Sequence, residues 1–221
     1  MNKSLVLIRF NLNYSFNKDV KDAAWHDGRF NTFKTTCLKS LNYQDNNQFS
    51  SSIFIDRDIT PKYISDFFEN NLDYVFKVKT ADDILNTIKK FKNNKYYITT
   101  RLDSDDMLPN NYFSEMFSKA ESLYELDSFI YDKSDLIFTN FQKWKVNSYY
   151  GKTTAFCSCF STNENINAFT HGHKQIKKTD IPVFKVAGIG GLASVHGRNS
   201  STRVVGKDVK NLKKIKSLFN L

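Results

Sequence analysis

A chain of 221 residues, 40% hydrophobic and 15% aromatic, has material for one buried core, and only 3 Pro and 8 Gly argue against a disordered or linker-rich protein. The formal net charge of +9 suits an anionic partner, but Lys is abundant together with Asn, Phe and Tyr, so the excess reads equally well as compositional bias. Cys37, Cys157 and Cys159 make neither a disulfide framework nor a tetrahedral metal site, no apolar run approaches the ~20 residues of a membrane span, and Leu5–Ile8 is too short for a signal peptide. A soluble, cytoplasmic chain is the expectation.

In chain order, SLVLIRF (Ser4 to Phe10) has the continuous apolar character of a buried parallel strand. Phe30, Phe33, Cys37, Leu38 and Leu41 recur at helical spacing. Ile53 to Ile55 is a short strand ending at Asp56, and Thr60-Pro61 reads as an N-cap and first helical residue. Tyr74 to Val78 is a third strand, Thr80 caps a helix with Asp82 and Asp83 in its first turn, and Tyr96 to Leu102 is a fourth strand. A helix over Asn110 to Leu126 and a strand over Leu136 to Phe141 complete a strand–helix alternation. That alternation predicts an α/β, Rossmann-like domain with a mainly parallel sheet and helices on both faces. Beyond Trp144 the pattern loosens, with strand character in Ser148 to Phe160 and Val183 to Val195. The segment Lys207 to Leu221 reads as a basic helix, with Leu212, Ile215, Leu218 and Phe219 inward and its lysines outward, near an anionic membrane face.

The chemistry concentrates where the fourth strand ends. Ligands of open α/β sheets bind beyond the carboxyl ends of the strands, and Asp103-Ser104-Asp105-Asp106 sits there. Three crowded carboxylates repel one another, and Mn²⁺ or Mg²⁺ is the simplest remedy, since both favour carboxylate and phosphate oxygens. On that view, removing Asp105 should leave stability unchanged or raise it. The alternative is an acidic helix-start cluster ahead of Leu108-Pro109.

Several segments together resemble a bacterial rhamnosyltransferase family of GT-A type. They are Leu7-Ile8-Arg9-Phe10-Asn11, Trp25-x-x-x-Arg29, Cys37-Leu38-x-Ser40-Leu41-x-x-Gln44 and Thr100-Arg101-Leu102-Asp103-x-Asp105-Asp106. Phe169-Thr170-His171-Gly172-His173-Lys174 and Val195-His196-Gly197-x-Asn199-x-Ser201 follow in the family's order. The resemblance implies sugar transfer from a nucleotide-diphosphate donor to a glycan or lipid-linked acceptor. It implies metal ligation by Asp103, Asp105 and Asp106, completed by His196, and donor binding by Arg9, Asp56, Arg101, Asp103 and Asn199. Asp56 reads equally as a turn residue, and Arg29 is left open between phosphate binding and pairing with an acid.

For an inverting transfer one general base suffices. Asp180 comes first among the acids and imidazoles downstream of the acidic motif, ahead of Glu164 and His173. The single domain over 1–221 divides into a nucleotide-sugar half (1–141), an acceptor side with a closing loop (142–206) and the basic helix (207–221). A metal-dependent nucleotidyltransferase is the rival enzyme, but Asn11-Leu12-Asn13 offers no Gly-rich phosphate loop. A basic nucleic-acid-binding or structural protein leaves the acidic cluster unexplained, and the scattered lysines argue against nucleic acid.

Overall fold

The apolar run after Lys3 forms the first strand, β1 (Ser4–Arg9), buried along nearly its whole length. The computed structural model describes residues 3–12, 22–93, 95–140, 145–150, 156–170, 180–194 and 207–221. A helix follows, α1 (Ala23–Phe33), capped by the Asp22 carboxylate and continuing through a π turn (Lys34–Leu38) into α2 (Lys39–Asn42). Next come β2 (Phe49–Asp56), α3 (Lys62–Asn71), β3 (Tyr74–Val78) and α4 (Ala81–Ile88), then β4 (Lys92–Asn93) and β5 (Tyr96–Asp103). After α5 (Tyr112–Ala120) the described residues are mostly strand: β6 (Ser128–Asn140), β7 (Lys145–Tyr150), β8 (Cys157–Ser161), β9 (Val183–Ser194) and β10 (Lys207–Asp208). The last described helix is α6 (Leu212–Phe219).

One sheet of ten strands among the described residues runs in the order β10-β7-β6-β8-β5-β1-β2-β3, with β4 on β5 and β9 on β6. The α/β architecture is as expected, but only part of the sheet is parallel. β5, β1, β2 and β3 pair in parallel, whereas β8 is antiparallel to both β5 and β6. The sheet as a whole is therefore mixed. Among the described residues no helix separates β6, β7 and β8, and strands that follow one another directly pair antiparallel.

Residues alternate between the two faces of each strand. Val6, Ile8, Phe10, Ile98 and Leu102 pack with Phe33, Cys37, Phe68 and Phe113 from the α1, α3 and α5 side. Leu5, Leu7 and Phe54 face the opposite way, towards Ile84 and Ile88 of α4 and Ala168. The chain winds from β1 outward to β2 and β3, then returns to β5 on the other side of β1. The switch point of the winding thus lies between β1 and β5, where Arg9 and Asp103 are register partners.

Several boundaries differ from the sequence reading. Pro61, not Thr60, occupies the N-cap position of α3, and the Thr60 hydroxyl donates instead to the Asp56 carbonyl at 2.6 Å. β6 starts eight residues before the expected Leu136, because Asp132, Lys133 and Asp135 interrupt its apolar pattern. The basic segment is helical only over Leu212–Phe219. Lys207 and Asp208 pair with β7, and Leu212 is exposed while Ile215 and Phe219 are buried. Thr80 does cap α4, in a reciprocal box with Asp83. No described helix is long and apolar enough to cross a membrane.

Candidate active site at the carboxyl ends of the first and fifth strands

Because Leu5 and Leu7 face the α4 side, alternation places Arg9 there too, and the β1–β5 register puts Arg101 opposite Leu7 and Asp103 opposite Arg9. Two guanidiniums therefore meet one carboxylate. Arg9 Nη2 lies 3.3 Å from Asp103 Oδ1, and Arg101 Nη2 lies 3.6 Å from the same oxygen. Both arginines sit against the ring of Phe169, at 4.9 and 5.7 Å from its centroid. Phe169 arrives on the segment after β8, tied to β5 where the Ala168 N–H donates to Thr99 Oγ1 at 2.9 Å. Arg101 is 7% exposed, and its Nε finds no hydrogen-bond partner among the described residues. Burial lowers the pKa of Arg101 from its usual value while Asp103 pulls it back up; an arginine stays charged through such a shift.

The three acids expected to share a cation have separate partners. Asp103 pairs with the two arginines. Asp105, 5% exposed, accepts from Arg29 Nη1 at 2.9 Å, and Arg29 Nε donates to Ser104 Oγ at 2.9 Å. Asp106, 6% exposed, accepts the Ser194 N–H at 3.0 Å, which ties the turn to the end of β9. Its own N–H closes the turn onto the Asp103 carbonyl at 3.0 Å. Among the described residues no three His, Cys, Asp or Glu side chains converge as a metal site. Asp103, 29% exposed at its side chain, is the acid of the three that faces the arginines and solvent.

Burial raises the Asp106 pKa well above the ordinary carboxylate value. The charges of Asp105 and Asp103 add to the rise, and the Ser194 N–H and Arg29 oppose it. The consequence for stability has a definite sign. A carboxyl whose pKa is higher folded than unfolded binds more protons when folded, so its contribution is present at low pH and lost as pH rises through the folded value. Asp106→Asn should therefore remove part of the fall in melting temperature above the ordinary carboxylate range. Melting curves across pH check this, and parallel curves for mutant and wild type would refute it.

Asp56 ends β2, and its Oδ1 accepts the Asp58 N–H at 2.9 Å, the geometry of a turn residue. Its own N–H donates to Asn11 Oδ1, and the Asn11 amide donates to Thr60 Oγ1 and lies 3.0 Å from His26 Nε2. Asn11 and His26 are each 2% exposed and pin α1 to the ends of β1 and β2. Neither that junction nor Phe169 as a ring platform stood out from sequence, although Asn11 and Phe169 fall within the family motifs. The pairing of Arg29 with an acid, one of two readings left open, is what the structure shows.

Two of the expected bases lie elsewhere. Ser161, just before Glu164, pairs with Tyr97 at the amino end of β5, and Glu164 itself is exposed and 3.3 Å from Lys89. Asp180 is exposed and precedes β9, whose first residue pairs with Ile130 near the amino end of β6. Both are displaced towards the amino end of β5, because β8 runs back down the sheet and β9 starts there. His173, His196 and Asn199, with His171, lie outside the described residues.

A separate cleft of about 680 Å³ lies between α5, α6, β6 and β9, and none of Arg9, Arg101 or Asp103 lines it. Its charges nearly balance: Lys207, Lys210 and Lys214 stand with Asp135 and Asp208, and Lys133 is paired with Glu115.

The sequence model of the family described as "Putative rhamnosyl transferase" matches residues 17–208. The chain belongs to this family. The membership agrees with the motifs quoted above. No curated protein matches the sequence. Solved structures are distantly similar. S. aureus TarS is 13% identical, with a TM-score of 0.47 over 88% of this chain and 37% of TarS. A cytidylyltransferase from Leptospira borgpetersenii is 12% identical, with a TM-score of 0.43 over 98% of this chain and 87% of that one. A "putative nucleotide-diphospho-sugar transferase" from Desulfovibrio desulfuricans G20 is 11% identical, with a TM-score of 0.40 over 100% and 98%. The chain thus spans little more than a third of TarS, and likenesses at this level separate no activities.

Proposed function

We propose that this glycosyltransferase moves a sugar from a nucleoside-diphosphate donor to a hydroxyl of a glycan or lipid-linked acceptor, with inversion, and that Arg9 and Arg101 neutralise the leaving diphosphate. The observation that carries this reading is the Arg101 guanidinium. It is buried, lacks a partner at Nε among the described residues, and stands beside a second arginine at the switch point of the sheet. A diphosphate offers the acceptor oxygens that both groups require, and preorganised donors aimed at developing charge usually lower such barriers more than any other single effect.

In the transfer, the acceptor oxygen bonds to the anomeric carbon as the bond from that carbon to the diphosphate oxygen breaks. The electron pair leaves with the nucleoside diphosphate, and the acceptor proton passes to a base. His173 is the base in this reading, since it follows Phe169 by four residues and Phe169 lies on both arginines. Asp56, at the end of β2, serves the nucleoside, and Asn199 and His196 are assigned to the donor side on their motif alone.

In this reading a divalent cation is held by Asp103, the most exposed acid of the turn, together with substrate phosphates, the mode Mg²⁺ often adopts. Such an ion, Mn²⁺ or Mg²⁺, would supply further charge neutralisation to the diphosphate. Cation and nucleotide should then bind cooperatively. In calorimetry, Mn²⁺ alone should bind weakly and a nucleoside diphosphate should tighten it at least tenfold. UDP, GDP and dTDP are the probes. A chain that binds none of them, as judged also by melting temperature, would overturn the assignment.

A further inference from the structure

The geometry points to a docking surface for an anionic phospholipid bilayer on residues 207–221. These 15 residues carry five lysines, one acid (Asp208) and no arginine. Lys207, Lys210, Lys213, Lys214 and Lys216 are all exposed. Helix α6 turns Ile215 and Phe219 inward, onto Met107, Ile137, Val146 and Leu192. At roughly 100° per residue, Lys214 and Lys216 then stand on opposite flanks of α6 and Lys213 points away from the domain.

Helix stability does not account for Lys213 and Lys214. They fall in the first turn of α6, where the dipole favours acids, and no acid stands there. Lys207, Lys210, Lys213 and Lys214 form no ion pair among the described residues, whereas Lys62, Lys77, Lys79 and Lys89 elsewhere each pair with a carboxylate. Leu212, expected from sequence to face inward, is 38% exposed one turn before Lys216. A bilayer surface takes both kinds of group, lysines at the phosphates and methyl groups between the headgroups. Nucleic acid fits less well. It favours the bidentate arginine fork and aromatic stacking platforms, and Phe219, the one aromatic residue of the segment, is buried.

The surface is held at a fixed place relative to the donor site. Lys207 and Asp208 form β10, outermost in the strand order, and four strand spacings, roughly 19 Å, separate β10 from β5. The Asn110 N–H donates to the Leu218 carbonyl at 2.9 Å, which ties α6 to the segment leading from the acidic turn into α5. A bilayer docked on α6 thus stays close to Asp103, as transfer to a lipid-linked acceptor requires.

Flotation of the full chain with vesicles tests this. Vesicles of phosphatidylglycerol mixed with phosphatidylcholine should bind it and vesicles of phosphatidylcholine alone should not, and rising salt should release it. A lysine near an anionic leaflet is worth about fivefold in binding, so Lys213→Glu with Lys214→Glu should weaken binding at least about 25-fold. Both changes place acids in the first turn of α6, which its dipole favours, so the fold should persist, as melting curves would show. Leu212→Ser should weaken binding about fourfold, the worth of roughly one buried methylene. Lys90→Glu with Lys119→Glu removes two exposed lysines outside the segment and should change binding less than about threefold. Equal losses in the two charge-reversed pairs would overturn the proposal. So would wild-type protein that floats with neither vesicle, or that holds single-stranded DNA at a salt concentration where anionic vesicles release it. Vesicle binding needs no sugar donor, so its failure leaves the donor-site reading in place, whereas that reading fails as protein that binds no nucleoside diphosphate.

Discussion

Arg101→Ala should lower kcat/KM for the donor by about 100- to 1,000-fold, the usual effect of removing one preorganised charge-stabilising group. The loss should appear in kcat as well as in nucleotide affinity, since the leaving diphosphate gains charge in the transition state and a uniform binding contact would move KM alone. Arg101→Lys should recover part of the affinity and little of the rate. It restores a point charge on the Phe169 face but not the planar fork. The fold should survive both changes, because the side chain left behind, Asp103, is partly exposed and retains Arg9. Unchanged kcat/KM in a folded Arg101→Ala would remove the diphosphate from this site.

The second large effect is on stability. Asp105→Ala should destabilise the protein by about 3–5 kcal/mol, because it strands the largely buried Arg29 guanidinium without its carboxylate. For a domain of this size the melting temperature would fall on the order of 10 °C. The sequence argued the reverse, that removing one of three repelling acids relieves strain. What reverses the sign is Arg29, which stands 76 positions away in the chain and 2.9 Å away in space. Replacing both partners by apolar residues, Arg29→Met with Asp105→Leu, should recover much of the loss, because neither charge then remains buried. A single mutant as stable as wild type would show that the pair contributes nothing.

Sequence alone determined the elements whose signal is local. The apolar run of β1, the strand of β5 leading into the acids and the Thr80 cap of α4 could be read directly, because strand burial and helix capping depend on residues a few positions apart. It also located the acidic cluster at a strand end, which follows from order along the chain, and the motif spacing placed the chain in its family. The second half of the sheet was hidden, since β6 carries Asp132, Lys133 and Asp135 among its apolar residues and pairs antiparallel with β7 and β8 and parallel with β9. The division of labour among the acids was decided only in the folded chain. Asp103, Asp105 and Asp106 are near-neighbours in sequence and alike in chemistry. Their differences come from Arg101, two positions before Asp103 on the same strand, and from Arg9, Arg29 and the Ser194 N–H, which packing brings to them from three other elements. Which carboxylate keeps its charge, and what that charge faces, is a property of the field and burial at each site, and no local pattern encodes it.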